Sequence, residues 1–226
     1  MSRPQRGDMR YSDLRHEIDQ GTAASTIPAW AGSVLEAVAA GDLRIPAVRH
    51  PLGFFCLPVE RDGDLGVCLH IWSPQLTTSG STTSLVHCHS WDLLSFVLYG
   101  RISNVLGRVS DGTVHRLFEV TGRGGEDAVT ATGRLVDYRP ERLERFGAGE
   151  SYSLPAGVFH STVIEGSGEA ATVALGRMTR SGSDLSLGPL DAPSHTQPRF
   201  VCGRAESARA AAVAAAGLAA RYDITC

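Results

Sequence analysis

Gly149-Glu150-Ser151-Tyr152-Ser153-Leu154-Pro155-Ala156-Gly157-Val158-Phe159-His160 is the stretch that decides how this chain is read. Its spacing of glycine, proline and glycine describes a tight turn. Proline pre-sets its own φ, and glycine takes the left-handed conformations a turn needs. The turn delivers His160 to whatever lies opposite. Much earlier in the chain stands His87-Cys88-His89. Side chains on a strand repeat every two residues, so His87 and His89 share one face. Three neutral imidazoles from two distant stretches make a metal site with coordination positions left over. Such open positions indicate chemistry more than scaffolding.

Around these stretches the pattern is that of many short strands. Strands are expected from Phe54, over Gly66–Trp72, Leu85–His89 and Leu93–Tyr99, then Ile102–Val109, Thr113–Thr121 and Ala128–Tyr138. Asp111-Gly112 and the glycines of 122–125 read as the turns between them. Arg142–Phe146, Phe159–Ile164 and Ala171–Met178 complete the set, and residues 73–83 read as a polar loop. Short strands punctuated by turns argue for an all-β sandwich or barrel. Leu93–Tyr99 is apolar almost throughout, as a strand buried on both faces must be.

Helices flank this region. Tyr11–Gln20 is one candidate. A second has Thr26 as its cap, Pro28 near its first turn and Gly41 as its stop. Its Trp30, Val34, Leu35 and Val38 recur at helical spacing and are expected to pack on the sheets. Residues 181–200 look like an irregular crossing segment. Arg204–Arg221 is alanine-dominated and strongly helical by propensity, suited to dock on the barrel or on a second copy. This suggests three parts of one domain: a tail and helical arm over 1–50, strands over 51–180, and the crossing segment with its helix over 181–226.

Composition excludes several classes. The net charge of −3 gives no electrostatic case for nucleic acid or an anionic membrane. All basic residues are arginine, so no lysine is available for a Schiff base or a phosphate-binding loop. Five cysteines (Cys56, Cys68, Cys88, Cys202 and Cys226) show no C-x-x-C spacing. They read as reduced, buried thiols. The start, MSRPQRGDMR, is polar, and no run reaches the ~20 apolar residues of a membrane span. A cytoplasmic protein is expected, and the arginine- and alanine-rich, lysine-free composition suggests a bacterial one.

The two histidine stretches resemble the two motifs of the cupin superfamily, G-x5-H-x-H-x(3,4)-E-x6-G and G-x5-P-x-G-x2-H-x3-N. The second is matched from Gly149 to His160 and ends in Ile164 where the family often has asparagine. In the first, His87 and His89 are followed by Ser90-Trp91-Asp92-Leu93 and later Gly100, so Leu93 stands where the family has its metal-binding glutamate. The resemblance covers roughly residues 65–180. It implies a single cupin barrel (a double-stranded β-helix or jelly roll) with N-terminal helices and a C-terminal helix. It also implies metal ligands at His87, His89 and His160. The missing glutamate makes the site similar to that of the thiol dioxygenases. The cysteine–tyrosine crosslink some of those enzymes carry uses the position of Leu93, so it does not carry over.

Three facial imidazoles on Fe(II) would leave about three positions of an octahedron for a chelating substrate and dioxygen. The expectation is therefore a mononuclear non-heme Fe(II) oxygenase of dioxygenase type, acting on a small organic acid or amino-acid-like molecule. A homodimer is compatible with the alanine-rich helix. Zn, Ni or Mn would fit the same nitrogens. A redox-neutral isomerase, lyase or decarboxylase and a non-catalytic binding cupin remain open. Catalytic candidates are Tyr99, placed inward if Leu93 is, and Asp92, which a bulge could re-aim toward the metal or its water. Substrate candidates are Trp91 as a pocket wall, Arg101 as a carboxylate clamp and His115 on strand-face grounds. Cys88 alternates away from the metal as a buried thiol, and His16, His50 and His195 read as surface or loop.

Overall fold

Among the described residues the chain runs α1 (Tyr11–Asp19), α2 (Ala23–Ala40), β1 (Val48–His50), β2 (Phe54–Asp62), β3 (Leu65–Trp72), β4 (His87–Cys88), β5 (Trp91–Tyr99), β6 (Arg101–Arg123), β7 (Glu126–Gly147), β8 (Ser151–Leu154), β9 (Phe159–Ile164), β10 (Ala170–Met178), β11 (Asp184–Gly188), β12 (His195–Pro198), β13 (Phe200–Val201) and α3 (Arg204–Tyr222). This is a computed structural model, describing residues 9–78, 80–123, 125–179 and 182–222. Most of the expected N-terminal tail, and Cys226, lie outside them.

Alternation builds the layers. On β2 and β3, Phe55, Leu57, Val67, Leu69 and Ile71 face the helices and join Ile27, Trp30, Leu35, Ala210, Ala214 and Leu218 in one core. The opposite face carries Cys68, with Leu93 and Val97 of β5 and Ala170 and Ala174 of β10. That face meets Ile102 of β6, with Leu106, Phe146 and Ile164 packed against it. The molecule is thus mostly β: a helical layer, then a seven-stranded sheet ordered β13-β1-β2-β3-β10-β5-β8, then a six-stranded sheet ordered β11-β4-β9-β6-β7-β12, with β11 also paired to β6.

Helix α2 keeps its predicted apolar spacing, with Trp30, Val34, Leu35 and Val38 all buried. It stops at Gly41, whose φ of 84° is the left-handed value a C-cap needs. Its start differs from expectation. Thr22 is the N-cap, and Thr26 lies one turn inside. Both hydroxyls donate to the Glu17 carboxylate, at 2.6 and 2.8 Å, tying α1 to α2.

Two further expectations are corrected. The turn expected at Asp111-Gly112 is absent: β6 and β7 run as one long hairpin of 23 and 22 residues. The Asp137 carboxylate accepts from the amides of Thr113 and Val114, at 2.9 and 3.1 Å. The surplus residues are absorbed as a bulge, with Asp111 and His115 both opposite Val136. The crossing segment over 181–200 is not irregular either. It contains β11 and β12, and β11 pairs with β4 and β6.

Tyr99 moves to the other face. β5 pairs with β10 in steady register until Thr172 opposes Val97, and then Ala171 opposes Tyr99. The extra residue, Leu98, is a bulge that reverses the phase of the strand beyond it. Leu93 and Val97 stay between the sheets, while Tyr99 joins the helix-facing core. Its ring lies against α3 at Gly217, where an added Cβ would sit 2.6 Å from the ring carbon Cζ. Gly217→Ala is therefore expected to lower the unfolding free energy. Overpacking costs about 1–3 kcal/mol, and alanine's helical advantage over glycine recovers only about 1 kcal/mol. Urea denaturation reads this. An unchanged or higher midpoint would mean that the ring is not wedged there.

Candidate metal centre

The stretch from Gly149 to His160 is not one tight turn: strand β8 fills its middle, with a turn on each side, and the second turn leads into His160. Gly149 and Gly157 hold φ of 91° and 84°. The Val158 amide donates to the Pro155 carbonyl at 3.2 Å, and the Gly157 amide donates to the His89 carbonyl at 2.8 Å. The second bond stitches the turn to the histidine pair. In the next strand His160 stands opposite His87, β4 against β9. The ring centroids of His87 and His160 are 4.3 Å apart, those of His87 and His89 4.8 Å, and those of His89 and His160 5.2 Å. One ring nitrogen from each lies within 4.8 Å of the other two.

Backbone carbonyls choose which nitrogen each ring offers. His87 Nδ1 lies 2.9 Å from the Leu85 carbonyl, and His160 Nδ1 lies 3.0 Å from that of Val158. A carbonyl only accepts, so both Nδ1 atoms carry the proton and each lone pair is on Nε2. Burial, with the neighbouring rings, lowers the pKa of His87 well below its usual value and brings that of His160 to about 4. Both rings are therefore neutral near pH 7, as ligands must be.

His89 has a different support. Its Nδ1 is buried and no hydrogen bond to it is found, with the Asp184 carboxylate 4.0 Å away. Burial pushes the Asp184 carboxyl upward. The His89 ring and the donors of Ser90 outweigh that and hold it at about 2. The Ser90 amide and hydroxyl donate to Asp184 at 2.7 and 2.9 Å. A fixed anion on this side favours the proton on Nδ1 and turns Nε2 toward the other two rings. Trp91 stacks on His89 at 4.3 Å, and its ring lies over Gly176, where an added Cβ would be 3.2 Å away.

The donor set fits a divalent ion. Three imidazole nitrogens suit Zn, Fe, Ni or Cu. Metal–imidazole bonds of about 2.0–2.1 Å require donors roughly 3 Å apart, so an ion would draw these rings slightly inward.

Several expected site residues lie elsewhere. Asp92 accepts from the Ala156 amide at 2.9 Å and from Arg177 at 3.2 Å. No bulge turns it to the rings. Tyr99 is on the helix-facing side of its sheet, behind the bulge. Arg101 is exposed at a strand end and pairs with Glu165 at 3.9 Å, since its strand begins away from the imidazoles. His115 sits at the bulge of the long hairpin and is outside the imidazole cluster. Tyr152 is buried between the sheets and stacks on Phe146 at 4.8 Å. Cys88 is buried as expected, and that burial raises its thiol to about 11.

Three features escaped the reading by residue type and spacing. Asp184 arrives on β11, within a segment that reads as irregular. His50, expected at the surface, stacks on Phe54 at 4.3 Å, and burial lowers its pKa to about 3. Cys56, Cys68 and His70 form a second cluster. Asp62-Gly63 was the available signal for that cluster. Read as a hairpin turn, it pairs β2 with β3, and a bulge between Pro58 and Glu60 then sets Cys56 opposite His70.

No family model matches the chain, and no match was found among curated proteins. Among solved structures it is similar to an RmlC-like cupin from Shewanella frigidimarina, at 13% identity over 61% of this chain and 87% of that one, with a TM-score of 0.36. No helix among the described residues is long and apolar enough to cross a membrane.

Proposed function

We propose that this chain is a metal-dependent oxidoreductase of cupin type, a mononuclear Fe(II) dioxygenase-like enzyme for a small organic or amino-acid-like acid. One observation carries the reading: three imidazoles converge, backbone carbonyls hold Nδ1 of His87 and His160, and among the described residues no carboxylate joins the cluster. Leu93 stands in the glutamate's place, and Asp92 is engaged by Arg177 and the Ala156 amide. An Fe(II) ion held there would supply a doubly charged centre with positions free for a chelating acid and for dioxygen.

The chain's own groups divide the remaining work. His87, His89 and His160 would hold the ion. Asp184, 4.0 Å from His89 Nδ1, puts negative charge beside that ring and favours its proton on Nδ1. Trp91 covers one side of His89 and restricts water. Tyr99 and Asp92, the expected proton-transfer groups, do not face the rings. That supports oxygen chemistry over enolate chemistry, which needs a positioned base. The test is oxygen uptake by Fe(II)-loaded protein against a panel of small amino, hydroxy and thiol acids. Turnover of a panel member with stoichiometric oxygen loss is expected. Turnover that proceeds unchanged without oxygen would replace this reading with a redox-neutral one.

A further inference from the structure

Cys56, Cys68 and His70 bring two sulfurs and a ring nitrogen within 4.8 Å of one another. Strand pairing places them: Cys56 stands opposite His70, and Cys68 opposite Pro58 on the same ladder. Cys68 is buried between the sheets, with Cys56 and Trp72 packed beside it. His70 is held by aromatic neighbours, Phe54 at 4.6 Å and Trp72 at 5.9 Å. Four cysteines among the described residues are free, so these sulfurs are not in a disulfide.

A cation completes the arrangement. Arg61 Nη2 lies 3.2 Å from Cys68 Sγ. Arg61 stands opposite Gly66, and its guanidinium occupies the space a Cβ there would fill. Glycine at 66 is what lets the arginine lie down onto the sulfur. Hydrogen bonding from Cys56, with help from His70 and Arg61, brings the Cys68 thiol to about 4, while the Cys56 thiol is raised. The two sulfurs thus share one proton, which a metal ion can replace.

We propose that Cys56, Cys68 and His70 form a second metal site, separate from the three imidazoles and selective for a thiophilic monovalent ion of the Cu(I) class. Thiolates select soft ions, and three-coordinate sulfur and nitrogen sets suit Cu(I). Charge points the same way. Two thiolates around a monovalent ion leave one negative charge, which Arg61 offsets. A dication would leave the charge of the Arg61 guanidinium, at the solvent edge of the cluster, unmatched beside it. The site stands on these residues whether or not the imidazole centre is an oxygenase.

The experiment is anaerobic addition of one equivalent of Cu(I) to the reduced full-length protein, followed by X-ray absorption at the copper edge. Two sulfur scatterers and one nitrogen are expected. Cys68→Ser or Cys56→Ser should each cut the sulfur count to one or none. Cys88→Ser and Cys202→Ser should leave it at two. A nitrogen-only shell in the unmodified protein overturns the proposal without any variant having to fold. A two-sulfur shell that survives Cys68→Ser, or that vanishes in Cys88→Ser, overturns it as well.

Discussion

Alanine at His87, His89 or His160 is expected to remove stoichiometric divalent metal, read by elemental analysis of protein purified without oxygen and loaded with Fe(II). A bound structural zinc is worth about 10–16 kcal/mol, so one ligand of three or four accounts for roughly 3 kcal/mol or more, above a hundredfold in affinity. His160 is almost fully buried, so its variant also opens a cavity. Circular dichroism separates lost metal from lost fold, and the half-buried His87 offers the milder variant. Full retention of metal by all three would end the ligand assignment. The same centre has a pH signature. Burial has brought the His160 ring to about 4, so protons compete with metal there only well below an ordinary imidazole's pKa near 6.5. Metal uptake should persist through pH 6 and fall as the pH approaches 4 to 5. A fall centred near 6.5 would show ordinary, solvated imidazoles.

Asp184→Ala is expected to weaken divalent metal binding about 10- to 100-fold while the three imidazoles stay in place, the usual cost of removing a carboxylate that orients a histidine ligand. Without the anion, the buried His89 Nδ1 loses the negative charge 4.0 Å away that favours its proton, and only the Trp91 stack remains beside the ring. Competition with a chromophoric chelator measures the change. Asp92→Asn is the control: its carboxylate serves Ala156 and Arg177, and metal affinity should move less than about threefold. Equal losses in the two variants would mean that general negative charge, not the placement of Asp184, supports the centre.

The two carboxylates also show where the sequence stopped being readable. Asp92 is adjacent to the histidine pair in the chain, and adjacency made it a candidate. Asp184 is remote, in a stretch of serine, glycine and proline that reads as loop, and only the pairing of β11 with β4 carries it to His89. Tyr99 fails for a related reason. Alternation counted from Leu93 sends it inward, but one inserted residue reverses the phase, and no residue type at Leu98 announces a bulge. Cys56 and Cys68 are twelve residues apart and look unrelated until the β2–β3 hairpin folds them together.

What residue type and spacing determined was local or periodic. Glycine and proline chemistry defined the turn before His160, alternation put His87 and His89 on one face, and apolar spacing placed the buried stripe of α2. These depend on backbone stereochemistry and on a repeat of two or 3.6 residues, which any stretch of chain carries by itself. Tertiary structure decided the rest: which carboxylate stands behind His89, which face Tyr99 takes, and that two cysteines, a histidine and an arginine form one cluster. Those depend on strand register, where a shift of one residue exchanges the two faces of a sheet.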